Sequence, residues 1–271
     1  MGKEIFHPID VSFAQQLTKG VFHTNRIYQS TEVLYTDKQN ITGKYLNKKI
    51  LIIGGGPSSI SYDWKLLDYD YIWTLNRFYQ NKDIILEPID LIHFGTLVPF
   101  DDPELLSYLN TSTASIYFEA NHIRQHVWDY LQTSGFMTKY TDRCNFYMTR
   151  FKGVMGAANR LVLLAAFMGA SDVYFVGVDG FTKQNKRYHA FWDSGDTSTK
   201  NVPGQHIEAG GDATYGYDDY REGYGHYVTY LNQIKKSIGT NFYNLGEGHE
   251  SNIIGDSYRD MLPLPSKLRQ L

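Results

Sequence analysis

The residues most able to do chemistry in this chain begin at Gly54-Gly55-Gly56-Pro57-Ser58-Ser59, where the apolar run Ile50-Leu51-Ile52-Ile53 empties into three glycines. Glycine lacks the Cβ that would hold a backbone away from an anion, and the amides that follow can point at a phosphate. The spacing is not a standard fingerprint. Gly-x-Gly-x-x-Gly is absent because Ser59 stands three positions after Gly56, and no Gly-Lys-Ser/Thr follows. Dinucleotide and P-loop readings therefore weaken, and a plain tight turn after a core strand stays open beside the phosphate reading.

Acidic and imidazole groups are less informative. Asp68-Tyr69-Asp70 has the letters of a divalent-metal motif, but it precedes an apolar run and so falls at the amino end of a strand, away from the ligand edge of a parallel sheet. It reads as a solvated turn, as do the loop pairs Asp101-Asp102 and Asp218-Asp219. His122 and His126 are four apart on one helix face, yet no Glu follows the first and no third ligand is indicated. Arg150, Lys152 and Arg160 near a helix start can meet phosphate oxygens or face water. The single cysteine, Cys144, excludes an intrachain disulfide and a multi-cysteine zinc site, and reads as a small buried apolar residue.

A scaffold must position these groups, and 271 residues suffice for one large α/β domain. Charged residues are 20% and apolar residues 42%, an ordinary globular balance that excludes a disordered chain. No segment reaches the roughly 18 to 20 consecutive apolar residues of a membrane span. The amino terminus lacks the apolar centre of a signal peptide, so the expected location is cytoplasmic. A net charge of −3 supplies no global field for gripping a nucleic acid. The 22 tyrosines, many of them between Tyr188 and Tyr243, are the compositional anomaly; a phenol has a flat apolar face and a hydroxyl, which suits sugars and nucleobases, and a Tyr-rich surface loop without a ligand is the other reading.

The elements follow from periodicity. Residues 1–48 read as a short, irregular N-terminal extension packed on a main domain spanning 49–271. Strands are expected at Lys49–Ile53, Tyr71–Leu75, Asp90–Gly95, Ser115–Phe118, Asn145–Met148, Asp172–Asp179 and Asn241–Leu245. Helices are expected at His122–Gln132, Gly153–Met168 and Tyr224–Ser237, the second small-residue-rich at its start. The long polar stretch of about 180–223 has no sustained period and is expected to act as a lid, since ordinary connections run about 4 to 6 residues. Alternation of helix and buried strand predicts an α/β fold, a Rossmann-like and mostly parallel sheet flanked by helices.

Taken in order, Gly54-Gly55-Gly56-Pro57-Ser58, Leu75-Asn76-Arg77-Phe78-Tyr79, the small-residue helix, Phe175-Val176-Gly177-Val178-Asp179 and Tyr188-His189-Ala190-Phe191-Trp192-Asp193 resemble the bacterial sialyltransferases of glycosyltransferase family 42. Their corresponding motifs read like Gly-Asn-Gly-Pro-Ser, Cys-Asn-Gln-Phe-Tyr, Gly-Ile-Asp and Tyr-Ala-Phe-Asp. A related group, the Rossmann-like pterin pyrophosphokinases, shares the glycine-Pro-Ser turn and the Gly-x-Asp strand end. The similarity covers about Lys49 to Leu245. It implies a GT-A-like variant of the fold and an enzyme that transfers a sugar from a nucleotide-activated donor to an acceptor hydroxyl, inverting and without a metal or cofactor.

By position, the resemblance implies that Gly54, Gly55, Gly56, Pro57 and Ser58 cradle the donor phosphate and ribose. Asn76 would hydrogen-bond the nucleotide or its sugar, Ala157 and Ala158 would lie against the donor, and Asp179 and Tyr188 would contact the nucleotide and leaving phosphate. The family's base, a lid histidine before the last long helix, corresponds to His226, with His206 and His189 as alternatives. Histidine suits that role, its ordinary pKa of about 6.5 leaving it mostly neutral at working pH. Two departures, Gly55 where the family has asparagine and Gly180 after Asp179, put CMP-sialic acid itself in question as the donor. The expected partner is a nucleotide sugar. The acceptor stays open among a glycan, a protein and a modified nucleobase, and an oligomer is compatible with the sequence. A pyrophosphokinase using ATP and magnesium, or a non-catalytic nucleotide-sugar-binding protein, is the alternative.

Overall fold

The computed structural model describes residues 6–8, 33–35, 42–56, 58–95, 98–119, 125–149, 156–178, 227, 231–232, 234–236 and 238–245. At its centre the aliphatic run at 50–53 forms β3 (Lys49–Ile53), in which Ile50 to Ile53 are at most 1% exposed, and the single-turn helix α1 (Ser58–Ser61) follows it. A strand apolar on both faces must be covered on both sides, and β3 has parallel neighbours in β4 (Tyr71–Leu75) and β8 (Asp172–Val176). Beyond β4 lie β5 (Ile89–Phe94), β6 (Ser115–Glu119) and β7 (Cys144–Thr149), and beyond β8 lies β9 (Asn241–Asn244). All of these pairings are parallel.

The chain thus lays strands outward from β3 to β7, then returns to the other side of β3 for β8 and β9. That reversal creates a topological switch point between β3 and β8, and ligands of open α/β sheets bind outside the carboxyl ends of strands at such a point. The N-terminal region adds more than irregular packing. β1 (Phe6–Pro8) pairs parallel with β2 (Val33–Tyr35), and β2 runs antiparallel to β7, which widens the sheet to nine strands.

Alternation along each strand divides the core into two layers. Leu51, Ile53, Ile72, Ile92, Phe94, Ile116, Phe118 and Phe146 face one side and meet α2 (Pro103–Thr111), α3 (Gln125–Thr133) and α4 (Phe136–Tyr140). Ile50, Ile52, Trp73, Leu91, Tyr117, Tyr147, Val173 and Phe175 face the other side, against α5 (Gly156–Phe167) and the helical residues Tyr227, Leu231 and Ile234. Leu161 to Phe167 of α5 are at most 3% exposed, as expected of a helix apolar all round. The helix stops at Gly169, whose φ of 90° suits a residue without Cβ. The amides of Gly169 and Ala170 then return to the carbonyls of Ala166 and Ala165 at 2.9 and 3.2 Å, the Schellman closure.

Helix α2 was not among the expected elements. Asp102 caps it, its Oδ1 accepting from the Glu104 amide at 2.9 Å, with Pro103 at the first helical position. Asp101 and Asp102 are therefore not simply solvated, as Asp101 also accepts from the Tyr130 hydroxyl. Among the described residues, no helix is long and apolar enough to cross a membrane.

Candidate functional site

The glycine turn after β3 is held against the end of β8. The Gly54 amide donates to the Val176 carbonyl at 2.7 Å, and the Gly56 amide to the Gly177 carbonyl at 2.8 Å. In return the Gly177 amide donates to Ser58 Oγ at 2.7 Å, while Ser59 Oγ donates to the Gly56 carbonyl at 2.8 Å. A Cβ on Gly54 would strike the Gly177 carbonyl, and one on Gly177, where φ is 68°, would strike the Gly54 carbonyl. Absence of a side chain at these two positions first serves to let two strand ends touch. Among the described residues the Gly55 amide has no hydrogen-bond partner, and Gly55 is half-buried.

Asn76 stands at the carboxyl end of β4 in the left-handed region, with φ of 52°. Its amide donates to the His93 carbonyl at 2.8 Å, and its side-chain Oδ1 accepts from the Gly95 amide at 3.0 Å. Because Oδ1 is committed to Gly95, the group left for a ligand is the Nδ2 amine with its two donors. Gly95 in turn packs so tightly that a Cβ there would lie 2.5 Å from the Ala157 Cβ and 2.6 Å from His93 Cε1. The ends of β4 and β5 and the first turn of α5 therefore converge on Gly95. Ala157 and Ala158 are half-buried on that turn.

Below this floor lies a polar cluster absent from the sequence expectations. Glu119, at the carboxyl end of β6, forms an ion pair with Arg160 of α5, their side chains 0% and 1% exposed. Arg160 is thus neither facing water nor open to a phosphate. The His93 ring, on β5, meets the Tyr147 hydroxyl, on β7, at 2.9 Å through Nε2. Burial drives the Tyr147 phenol well above its ordinary range, Glu119 adds to the rise and Arg160 opposes it, so the hydroxyl stays protonated as a hydrogen-bonding group. The one local signal was alternation: His93 follows Leu91 by two, and Glu119 follows Tyr117 by two, which turns both toward α5. Asn159, beside Arg160, is 2% exposed, and its carbonyl accepts from the Tyr227 hydroxyl at 2.9 Å.

Asp68 and Asp70 sit at the opposite edge. Asp68 lies 2.5 Å from Lys49 Nζ, and Asp70 accepts from the Lys49 amide at 2.9 Å, so this pair braces the start of β3. Cys144 is buried with 0% exposure. Among the described residues no group of three or more His, Cys, Asp or Glu could hold a metal ion. Pro57, Asp179, Tyr188, His189, His206, His226, His122, Arg150, Lys152 and the lid span 180–223 lie outside the described residues, as does the His126 side chain.

No protein-family model and no curated protein matches the chain. Solved structures do. The monofunctional alpha-2,3-sialyltransferase Cst-I from Campylobacter jejuni is similar with a TM-score of 0.52 and 15% identity, over 82% of this chain and 81% of that one. CstII from the same organism, solved with the substrate analogue CMP-3FNeuAc, has a TM-score of 0.47 and 16% identity over 76% of this chain and 85% of its own. The likeness is one of fold. The Cst-I fold agrees with the α/β sheet expected from the sequence and lends no support to the pterin resemblance.

Proposed function

We propose that this protein is a glycosyltransferase of the sialyltransferase-like kind, moving a sugar from a nucleotide-activated donor to an acceptor hydroxyl with inversion and without a metal. The observation that carries the reading is the committed orientation of Asn76. Its oxygen is tied to Gly95 across the carboxyl ends of β4 and β5, the ligand edge of the sheet, which leaves its two N–H donors for an anionic or hydroxylated ligand. The half-buried Gly55 amide on the adjacent strand end is a second donor of the same kind. The Cst-I fold and the order of the motifs along the chain support the same assignment.

In this reading Asn76 and Gly55 donate to the nucleotide's phosphate or ribose, and Ala157 and Ala158 leave room for the donor against α5. As the bond between the sugar and the phosphate oxygen breaks, charge grows on that phosphate, and fixed donors stabilise it without having to reorient. Tyr188 and Asp179 are assigned to the leaving phosphate and the nucleotide by resemblance. His226 takes the proton of the acceptor hydroxyl as that oxygen attacks the sugar from the opposite face. The intact nucleotide leaves with the electron pair of the broken bond on its phosphate oxygen.

Incubation with CMP-, UDP- and GDP-sugars, followed by measurement of released nucleotide with and without a chelator, tests the proposal. Release from one class that survives chelation is the expected result. Magnesium-dependent ATP consumption with no sugar transfer would replace the reading with a pyrophosphokinase, and tight binding without turnover would replace it with a binding protein.

A further inference from the structure

His93 holds the junction of Asn76 and Gly95 in two ways. Its main-chain carbonyl accepts from the Asn76 amide at 2.8 Å, and its ring lies against Gly95, where a Cβ would come within 2.6 Å of Cε1 and 3.0 Å of Nε2. Asn76 Oδ1 closes the junction by accepting from the Gly95 amide at 3.0 Å. In so close a packing, a turned imidazole would either press on Gly95 or leave a gap beneath it. The group that sets the ring stands two strands away. β6 separates β5 from β7, and in register His93 faces Tyr117 while Glu119 faces Tyr147. The Tyr147 phenol reaches diagonally across β6, and its hydroxyl meets Nε2 at 2.9 Å, the ring centroids 5.2 Å apart. Both side chains are fully buried, and phenylalanine at 147 would fill the same space without the hydrogen bond. On the far side of Gly95, Ala157 belongs to the turn of α5 that Glu119 ties down through Arg160. Gly95 is therefore clamped between a ring held from β7 and a helix turn held from β6.

We infer that His93 and Tyr147 are positioning residues for Asn76: the Tyr147 hydroxyl fixes the His93 ring, the ring seats Gly95, and the Gly95 amide holds the Asn76 oxygen. A carboxamide has an acceptor at one corner and two donors at the other, so an unlocked Asn76 could turn its oxygen toward an anion and repel it. Locked, it presents donors without an ordering cost at the moment of binding. The value of this arrangement for a nucleotide rests on the glycosyltransferase reading, whereas the seating of Asn76 does not.

The test compares Tyr147→Phe, Asn76→Ala and the double variant in the full chain. CMP, UDP and GDP serve as calorimetric probes, and hydrogen exchange at the Gly95 amide gives a readout that needs no ligand. Tyr147→Phe is expected to speed Gly95 exchange about fivefold relative to the β3 amides and to weaken the bound nucleotide about fivefold, the scale of one hydrogen bond. The double variant should bind no more weakly than Asn76→Ala, because the hydroxyl acts only through that side chain. Additive losses of affinity overturn the proposal and make the pair a packing contact. The same exchange pattern is expected of His93→Phe, whose ring cannot take the hydrogen bond, and an unchanged Gly95 rate in either variant overturns the proposal. If the parent chain binds none of the three probes, the donor-site reading falls, and the exchange comparison by itself decides the seating: selectively faster exchange at Gly95 upholds it, and an unchanged rate overturns it.

Discussion

At the amino edge of the sheet Lys49 lies 2.5 Å from Asp68 with side chains 37% and 67% exposed, whereas at the carboxyl edge Glu119 and Arg160 meet at 0% and 1% exposure. Both are ion pairs between neighbouring elements, and their physics differs. The lysine pairs, including Lys48 with Asp70 at 3.6 Å, keep their hydration and can form or break at little cost. The buried pair has given up its water, so removing either charge takes from the other a compensation that solvent cannot supply. The polar groups that cannot rearrange are on the edge where the candidate site lies, and those that can are on the edge where no ligand is expected.

Breaking the buried pair should give the largest effect. Glu119→Ala takes the carboxylate away from the buried Arg160 guanidinium and is expected to lower unfolding free energy by about 3–5 kcal/mol in a urea titration. Replacing both partners, Glu119→Leu with Arg160→Met, should recover most of that loss, because no charge is then left unpaired. A loss in the single variant below about 1 kcal/mol would erase the contrast between the edges. Next comes Gly177→Ala, in which a left-handed φ of 68° and the Gly54 carbonyl both oppose a Cβ. About 1–3 kcal/mol of destabilisation is expected from calorimetry.

Asn76→Ala sharpens the functional half of the comparison. It removes both the partner of the Gly95 amide and the proposed ligand donor, so nucleotide affinity by isothermal calorimetry should fall about tenfold, with about 1 kcal/mol lost in stability. Undiminished affinity would take Asn76 out of the donor site. The smallest effect belongs to Lys49→Ala. Its urea midpoint should stay close to that of the parent, and any difference should vanish in 1 M salt, where screening acts within about 3 Å.

These contrasts also show what local sequence can express. The central parallel strands were legible because short apolar runs bounded by polar turns have few other uses, and β3, β4 and β8 lie where that pattern places them. Helix α2 was legible too, through Asp102-Pro103-Glu104, but its nine residues fell in a span to which no element was assigned. The ion pair was not, since Glu119 and Arg160 are 41 positions apart and an arginine at a helix start looks the same whether it meets a phosphate or a carboxylate. His93 and Tyr147 are 54 apart. β1 and β2 have three residues each, and β2 pairs with a strand more than a hundred positions away, so no periodicity announces them. Gly54 carries the subtlest lesson: its sequence neighbours suggest a ligand, while the carbonyl that forbids a larger residue belongs to Gly177.

The order of the sheet ends at β1, three residues long, and at β9, four residues long. A rim so short offers an incoming chain only a few main-chain groups to pair with, and brevity at the rim is a common guard against sheets joining edge to edge. Among the described residues the long strands, β3 to β8, are all flanked on both sides. At high concentration the described strands therefore offer little template for fibre-like stacking of folded copies.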